Sequence, residues 1–197
     1  MLKKFFLNLL KKFLFELHKQ ERDKTKNKYN RINPFYEDII DWKERGEFVA
    51  GKNTNVTIYN STTVVGDVKI GKNTWIGPFC SLDGYGGLEI GSNCSISLGT
   101  QILTHDSVKW ALSGGIEEYE YANTKIGNNC FLGSYCVVVK GISIGDRCLV
   151  GAGAIVTKSF DDNSIIAGVP AKKIGEVLVS EDGKIEFKYF KYNENVE

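Results

Sequence analysis

The sequence predicts an all-β solenoid built from six-residue units, and two observations carry that expectation. The first is a phrase, an aliphatic residue usually followed by glycine and four more residues. It recurs as Ile70-Gly71, Ile76-Gly77, Ile90-Gly91, Ile126-Gly127, Leu132-Gly133, Ile144-Gly145 and Val150-Gly151. An amphipathic helix would repeat its apolar residues at i, i+3, i+4 and i+7, and a half-buried strand every second residue, so neither explains this beat. Each phrase would supply one short strand and one turn, three would close a triangular coil, and stacked coils would bury the aliphatic residues along the axis. The second observation is the fifth position of the phrase, where a narrow coil turns a corner and admits only a small side chain. It holds Thr74, Cys80, Cys94, Thr100, Cys130, Cys136, Cys148 and Ala154.

All five cysteines therefore share one phase of the repeat and read as small buried thiols. There is no CxxC pair, and the odd count argues against a disulfide framework. Together with the lack of a signal-peptide pattern, this points to a reducing cytoplasm. A formal net charge of +1 argues against a general nucleic-acid binder.

Along the chain, residues 1–48 form a basic amphipathic helix and a connection. Leu2, Phe5, Phe6, Leu9, Leu10, Phe13 and Leu17 share one broad helical face, with Lys4, Lys11, Lys12 and Lys19 mostly opposite. Lysines interrupt this segment too often for it to span a bilayer. Residues 1–20 either lie on an anionic membrane surface or pack on a neighbouring subunit or on the solenoid. Residues 30–50, with Pro34, Tyr36, Trp42 and Gly46, read as a short helix and connection covering the first coil.

The solenoid is expected over residues 49–175, beginning near Val49. Its beat slips at Gly84-Tyr85-Gly86-Gly87, where glycines let the backbone bulge. A larger break at 104–123 reads as an ejected loop opened by His105, the only histidine of the repeat region. Residues 176–197 read as a hairpin and tail, from alternation and the Asp182-Gly183 turn signal. Such an end would cover the strand edges of the last coil.

The hexapeptide phrases, the histidine-opened loop, GAGAIVTK (Gly151 to Lys158) and IAGVPAK (Ile166 to Lys172) together resemble the left-handed β-helix acyltransferases. Within them the chain is most similar to the branch of galactoside, maltose and serine acetyltransferases and the sugar O-acetyltransferases of surface polysaccharides. The resemblance covers about residues 50–175. It implies a left-handed parallel β-helix and a homotrimer with three active sites between neighbouring solenoids. It also implies acetyl-CoA as co-substrate and His105 as general base. Acetyl-CoA would contact Ser134, Ala152, Thr157, Lys158 and Lys172, and the acceptor sugar would sit near the slipped coil, with Asp83 the matching acid. Phe131 stands where the galactoside branch has tryptophan, and Gly175 where a basic residue faces the cofactor phosphates.

The chemistry suits these residue types. A hydroxyl is a poor nucleophile at neutral pH, so its attack on a thioester needs a base whose ordinary pKa, about 6.5 for histidine, lies near the working pH. Backbone N–H groups aimed at the developing oxyanion would stabilise the step, with Ser134 the candidate. Asp83 would orient the acceptor hydroxyl or the imidazole, or else cap the glycine turn. Asp106 is a second candidate for orienting the base or holding substrate. Lys158 and Lys172 would act as point charges on phosphates. Trp110, Tyr119 and Tyr121 would stack on a sugar ring or pin the loop.

The leading function is O-acetylation of a sugar or surface-polysaccharide intermediate in the cytoplasm, at or away from the inner membrane face. N-acetylation of a nucleotide-linked amino sugar and a membrane-associated solenoid scaffold are the alternatives. A metal site of the γ-carbonic-anhydrase kind needs three histidines, and this chain has two.

Overall fold

The computed structural model describes residues 2–39 and 41–191; Met1 and the end of the expected C-terminal tail, residues 192–197, lie outside them. Three helices precede the solenoid: α1 (Leu2–Tyr29), α2 (Phe35–Ile39) and α3 (Trp42–Ala50). Helix α1 runs past Leu17 because the following residues are good helix formers, supported by Lys19–Glu16 and Lys24–Glu21 pairs at i,i+3. Its C-terminal half rests on the next two helices, with His18 edge-on to Phe35 and Tyr29 against Trp42. Every residue from 2 to 16 is exposed.

Helix α3 starts at Asp41, whose carboxylate accepts from the Lys43 and Glu44 amides. It takes in Val49, so the solenoid begins later than the repeat suggests. Helices α2 and α3 cap the first coil with charge. Glu37 accepts from the Asn60 and Ser61 amides at 2.8 Å each, and Arg45 donates to the Tyr59 and Thr62 carbonyls. These contacts satisfy backbone groups at the open end of the stack, among them the Tyr59 carbonyl, which also accepts from the Thr62 amide.

The first coil consists of β1 (Thr57–Ile58) and β2 (Thr63–Ile70), and the second of β3 (Trp75–Ile76) and β4 (Ser81–Ile90). The third has β5 (Ser95–Ile96) and β6 (Gln101–Ile102). It then ejects a loop containing β7 (His105–Asp106), α4 (Val108–Leu112) and β8 (Glu120–Tyr121), and resumes at β9 (Thr124–Ile126). The fourth coil is β10 (Phe131–Leu132), β11 (Val137–Val138) and β12 (Ser143–Ile144). The fifth is β13 (Leu149–Val150) and β14 (Ile155–Val156), closed by a bridge from Phe160 to Ile144. Strand β15 (Ser164–Gly168) opens a sixth, and β16 (Ala171–Val179) and β17 (Ile185–Tyr189) form the terminal hairpin.

Among the described residues the inter-coil pairing is parallel and, apart from a bulge in β4 opposite Asp67, in register, aliphatic over aliphatic: Ile58, Ile76, Ile96, Leu132, Val150 and Ile166 stack on one face. Leu82, Ile102, Val138 and Val156 stack on the second, and Ile70, Ile90, Ile126 and Ile144 on the third. Long strands β2 and β4 bend across the corner between the second and third faces. The result is the parallel β-helix expected, a triangular prism with one continuous aliphatic core.

The small residues at the corners do more than fit. Thr74, Cys94 and Cys130 each donate to a carbonyl of the next coil, those of Gly91, Gly127 and Gly145, at 2.8, 3.1 and 3.1 Å. Thr62, Cys80 and Thr100 do the same at the next corner, to Gly77, Ser97 and Gly133. The residue before most of these corner positions takes a left-handed φ, mostly asparagine at the first corner (Asn73, Asn93, Asn129), the residue type that tolerates it best after glycine. All five cysteines are buried and free. Burial pushes the Cys136 thiol up to about 11, so it stays protonated.

The hairpin extends the first face beyond the last coil, with β16 antiparallel to β15 and β17 antiparallel to β16. It covers the sheet edge there. Ile96, fully buried in the middle coil, tests how far the column is shared. Ile96→Ala is expected to lower unfolding free energy by about 2–5 kcal/mol, read from urea melts followed by circular dichroism.

Candidate active site

The site is built where the slipped coil meets the ejected loop. Strand β4 pairs with β6 so that Leu82 lies over Ile102. The next residue on one coil, Asp83, therefore meets Leu103 to His105 on the other. Asp83 is 3% exposed. Its Oδ2 accepts from the Thr104 amide at 2.8 Å and the His105 amide at 3.1 Å, and lies 2.6 Å from His105 Nδ1. Its Oδ1 accepts from the Tyr85 amide at 3.1 Å, so the same carboxylate also caps the glycine turn. Burial alone would raise the Asp83 pKa, but the Thr104 and Tyr85 amides and the imidazole outweigh it and hold the carboxyl below its ordinary value. An ionised carboxylate only accepts, so Nδ1 carries the hydrogen and the neutral ring keeps its lone pair on Nε2.

The neck of the loop is closed by two buried threonines. The Thr104 carbonyl accepts from the Ala122 amide and its hydroxyl from the Gly86 amide, both at 2.8 Å. Thr124 donates its hydroxyl to the Leu103 carbonyl at 2.7 Å. A Cβ on Gly86 would stand 2.4 Å from the Thr104 carbonyl oxygen, so only glycine fits at this crossing. The slip in the repeat and the ejected loop are thus two halves of one device.

Within the loop, β7 and β8 pair His105 with Tyr121 and Asp106 with Glu120. Tyr121 lies nearly parallel to the imidazole at 5.7 Å, Tyr119 at 6.4 Å, and Tyr85 meets it edge-on at 5.2 Å. Trp110, on α4, packs edge-on against Tyr119 and remains 44% exposed. Asp106 does not touch the imidazole. Its Oδ2 pairs with Lys140 at 2.7 Å and its Oδ1 accepts from the Val108 amide at 3.0 Å.

The expected acetyl-CoA contacts fall on two different corners. Ser134 and Ala152 lie on adjacent coils between the first and second faces, where the Gly153 amide donates to the Ser134 carbonyl at 2.9 Å. Lys172, paired with Ala167, follows at the end of that corner. Thr157 and Lys158 follow β14 and lie on the corner that also carries His105; both are exposed. Phe131 faces outward from β10 on the first face. It lines a cavity of about 450 Å³ under the terminal hairpin, with Val177, Ile185 and Phe187. The structure does not bring Phe131 to the other five.

A profile for the hexapeptide repeat of succinyl-transferase matches residues 123–158. Over 148 residues the chain is 30% identical to galactoside O-acetyltransferase of Escherichia coli K12, a stretch covering 64% of this chain and 72% of that enzyme. The chain belongs to the hexapeptide-repeat acetyltransferases. A chloramphenicol acetyltransferase of Klebsiella aerogenes is 32% identical over 113 residues, 48% of this acetyltransferase and 54% of that one. The crystal structure of a maltose O-acetyltransferase from Clostridium difficile 630 has the same fold, with a TM-score of 0.53 at 22% identity, covering 91% of this chain and 89% of that one.

Sequence reasoning missed Lys140 of this acetyltransferase. It stands two residues past Val138, as Thr104 stands two past Ile102, so the stacking rule itself places it one coil along from the loop neck. Lys140 joins Asp106 to Glu120, at 2.7 and 2.8 Å, and Glu120 also pairs with Lys109 at 2.9 Å. The Lys140 ammonium holds the Asp106 and Glu120 carboxyls below their ordinary values.

Two outcomes are expected. Lys140→Met should speed amide exchange across residues 105–121 by about tenfold or more, through the loss of its two charge-assisted contacts to Asp106 and Glu120, with Lys140→Arg restoring most of the protection. For Asp83, a lowered folded-state pKa means stabilisation is complete above the ordinary carboxylate range, near pH 4, and is lost as pH falls through the lowered value. The stability gap between wild type and Asp83→Asn should therefore close on acidification, as measured by denaturant melts across pH.

Proposed function

We propose that this acetyltransferase moves the acetyl group of acetyl-CoA to a sugar hydroxyl of a surface-polysaccharide intermediate, with His105 as general base and Asp83 as the residue that positions it. The observation that carries this reading is the 2.6 Å contact between His105 Nδ1 and a buried, ionised Asp83, which leaves Nε2 as the proton acceptor. The relative that acetylates galactosides supports a sugar hydroxyl as acceptor.

The step balances without other reagents. The acceptor O–H gives its proton to His105 Nε2 as its oxygen bonds to the thioester carbonyl carbon. The C–S bond then breaks, and the CoA sulfur leaves with that proton. Asp83 favours the imidazolium formed in between, because the carboxylate already accepts the Nδ1 hydrogen. The tyrosines around the imidazole and Trp110 offer apolar ring faces to a pyranose, and Asp106 serves the site through the loop, since its carboxylate is committed to Lys140.

Acetyl-CoA binding is a composite in this reading. His105, Thr157 and Lys158 lie on one corner of the prism and Ser134, Ala152 and Lys172 on another, so one chain cannot surround a donor with both sets. A homotrimer that sets the first corner of one copy beside the second corner of its neighbour would unite them, with the Ser134 amide facing the oxyanion and the lysines the phosphates. Acetyl-CoA and five unoxidised cysteines suit a cytoplasmic setting.

Transfer of labelled acetyl from acetyl-CoA to free, nucleotide-linked and amino sugars tests the assignment. His105→Ala is expected to lower turnover by about 10²–10⁴-fold while acetyl-CoA binding by calorimetry stays intact. Near-normal turnover in that variant would overturn the role given to His105, and label only on amino groups would overturn O-acetylation.

A further inference from the structure

The first half of α1 takes no part in the fold described above. Every residue from 2 to 16 is exposed, and the helix's contacts with the rest of the chain begin beyond them. Nine large apolar side chains in that stretch face solvent: Leu2, Phe5, Phe6, Leu7, Leu9, Leu10, Phe13, Leu14 and Phe15. At 3.6 residues per turn, Leu2, Phe6, Leu9, Leu10 and Phe13 form one continuous stripe. Lys4, Asn8, Lys11 and Lys12 lie on the other side, while Lys3 and Glu16 border the stripe and Leu7 and Phe15 fall among the polar residues. The arrangement leaves the stripe unburied by this chain, and packing of residues 2–16 on their own solenoid is not what the structure contains.

We infer that residues 2–17 are an in-plane anchor that lies in the interface of an anionic lipid bilayer. Two observations choose this occupant over a second copy of the chain. The stretch carries Lys3, Lys4, Lys11 and Lys12 against the single acid Glu16, an excess of positive charge that anionic headgroups neutralise and an equally basic second copy does not. An anionic headgroup layer supplies the opposite charge along the whole edge of the stripe. The apolar side is also rich in phenylalanine, whose rings insert at the boundary between headgroups and acyl chains, and no described helix is long and apolar enough to cross the membrane. The later part of the helix packs on α2 and α3, which cap the first coil, so the anchor would tether the prism through that end. On the transferase reading given above, the acceptor is then met at a lipid surface rather than in bulk solution.

Sedimentation of the full chain with phosphatidylcholine vesicles, with and without phosphatidylglycerol, tests the anchor without any acetyl donor. It therefore reports even on a protein that transfers nothing. Binding only with phosphatidylglycerol, weakened by salt, is expected. Lys11→Glu with Lys12→Glu should weaken it on the order of tenfold or more, and Phe6→Glu with Phe13→Glu should abolish it while the oligomeric state in light scattering stays unchanged. Equal recovery with both lipids, or none with either, would overturn the proposal. Dissociation of the oligomer by the phenylalanine variants would overturn it too and assign the stripe to a contact between copies.

Discussion

A strand of two residues has almost no stability of its own, and most strands of this prism are that short. What holds them is register: each corner must stack on the one beside it so that a Thr hydroxyl or Cys thiol reaches the neighbouring coil's carbonyl. That requirement explains residue types that hydrophobicity alone would not select. Valine would fill the corner space as well as threonine, but at position 62 or 74 it would remove a hydroxyl that both donates to the Gly77 or Gly91 carbonyl and accepts from the Cys80 or Cys94 amide. The aliphatic columns supply the bulk of the burial, and the corner ladder fixes which residue lies over which.

Catalytic geometry is a consequence of the same register. Asp83 and His105 are 22 positions apart in sequence and belong to adjacent coils, so their contact exists only because Leu82 lies over Ile102. The coil carrying Asp83 has to widen to let the loop leave the coil below. The Tyr85-Gly86-Gly87 bulge provides that room, opposite the single residue Asp67 of the preceding coil. Shifting either feature by one residue would turn Asp83 away from the imidazole.

Much of this was readable from the sequence because a narrow prism repeats its demands every six residues. The columns, corners and hairpin all answer to local spacing, and His105 stood out as the one histidine at a break in that spacing. Other features answer to interactions that spacing does not encode. Val49 has the right chemistry for a coil, yet the Asp41 cap and the Arg45 contacts to Tyr59 and Thr62 make its segment a helix. Lys140 looks like any solvated lysine until the loop folds back and sets Asp106 and Glu120 above it. Phe131 keeps the family phase, but it lies on the first face beside the hairpin and not at either corner that carries the other candidates.

The five thiols give the stack an internal record of its own opening. Each belongs to a known corner, three along one edge and two along the next, and none is reachable by a bulky reagent while its coil is closed. A coil that opens briefly would expose its own sulfurs, Cys80 in the second, Cys94 in the third, Cys130 and Cys136 in the fourth and Cys148 in the fifth, so the order in which cysteines become modified maps onto the order in which coils separate. In a fold whose units touch only their neighbours, that order distinguishes unzipping from the two ends from rupture in the middle, beside the loop, where the lattice of corner contacts is interrupted.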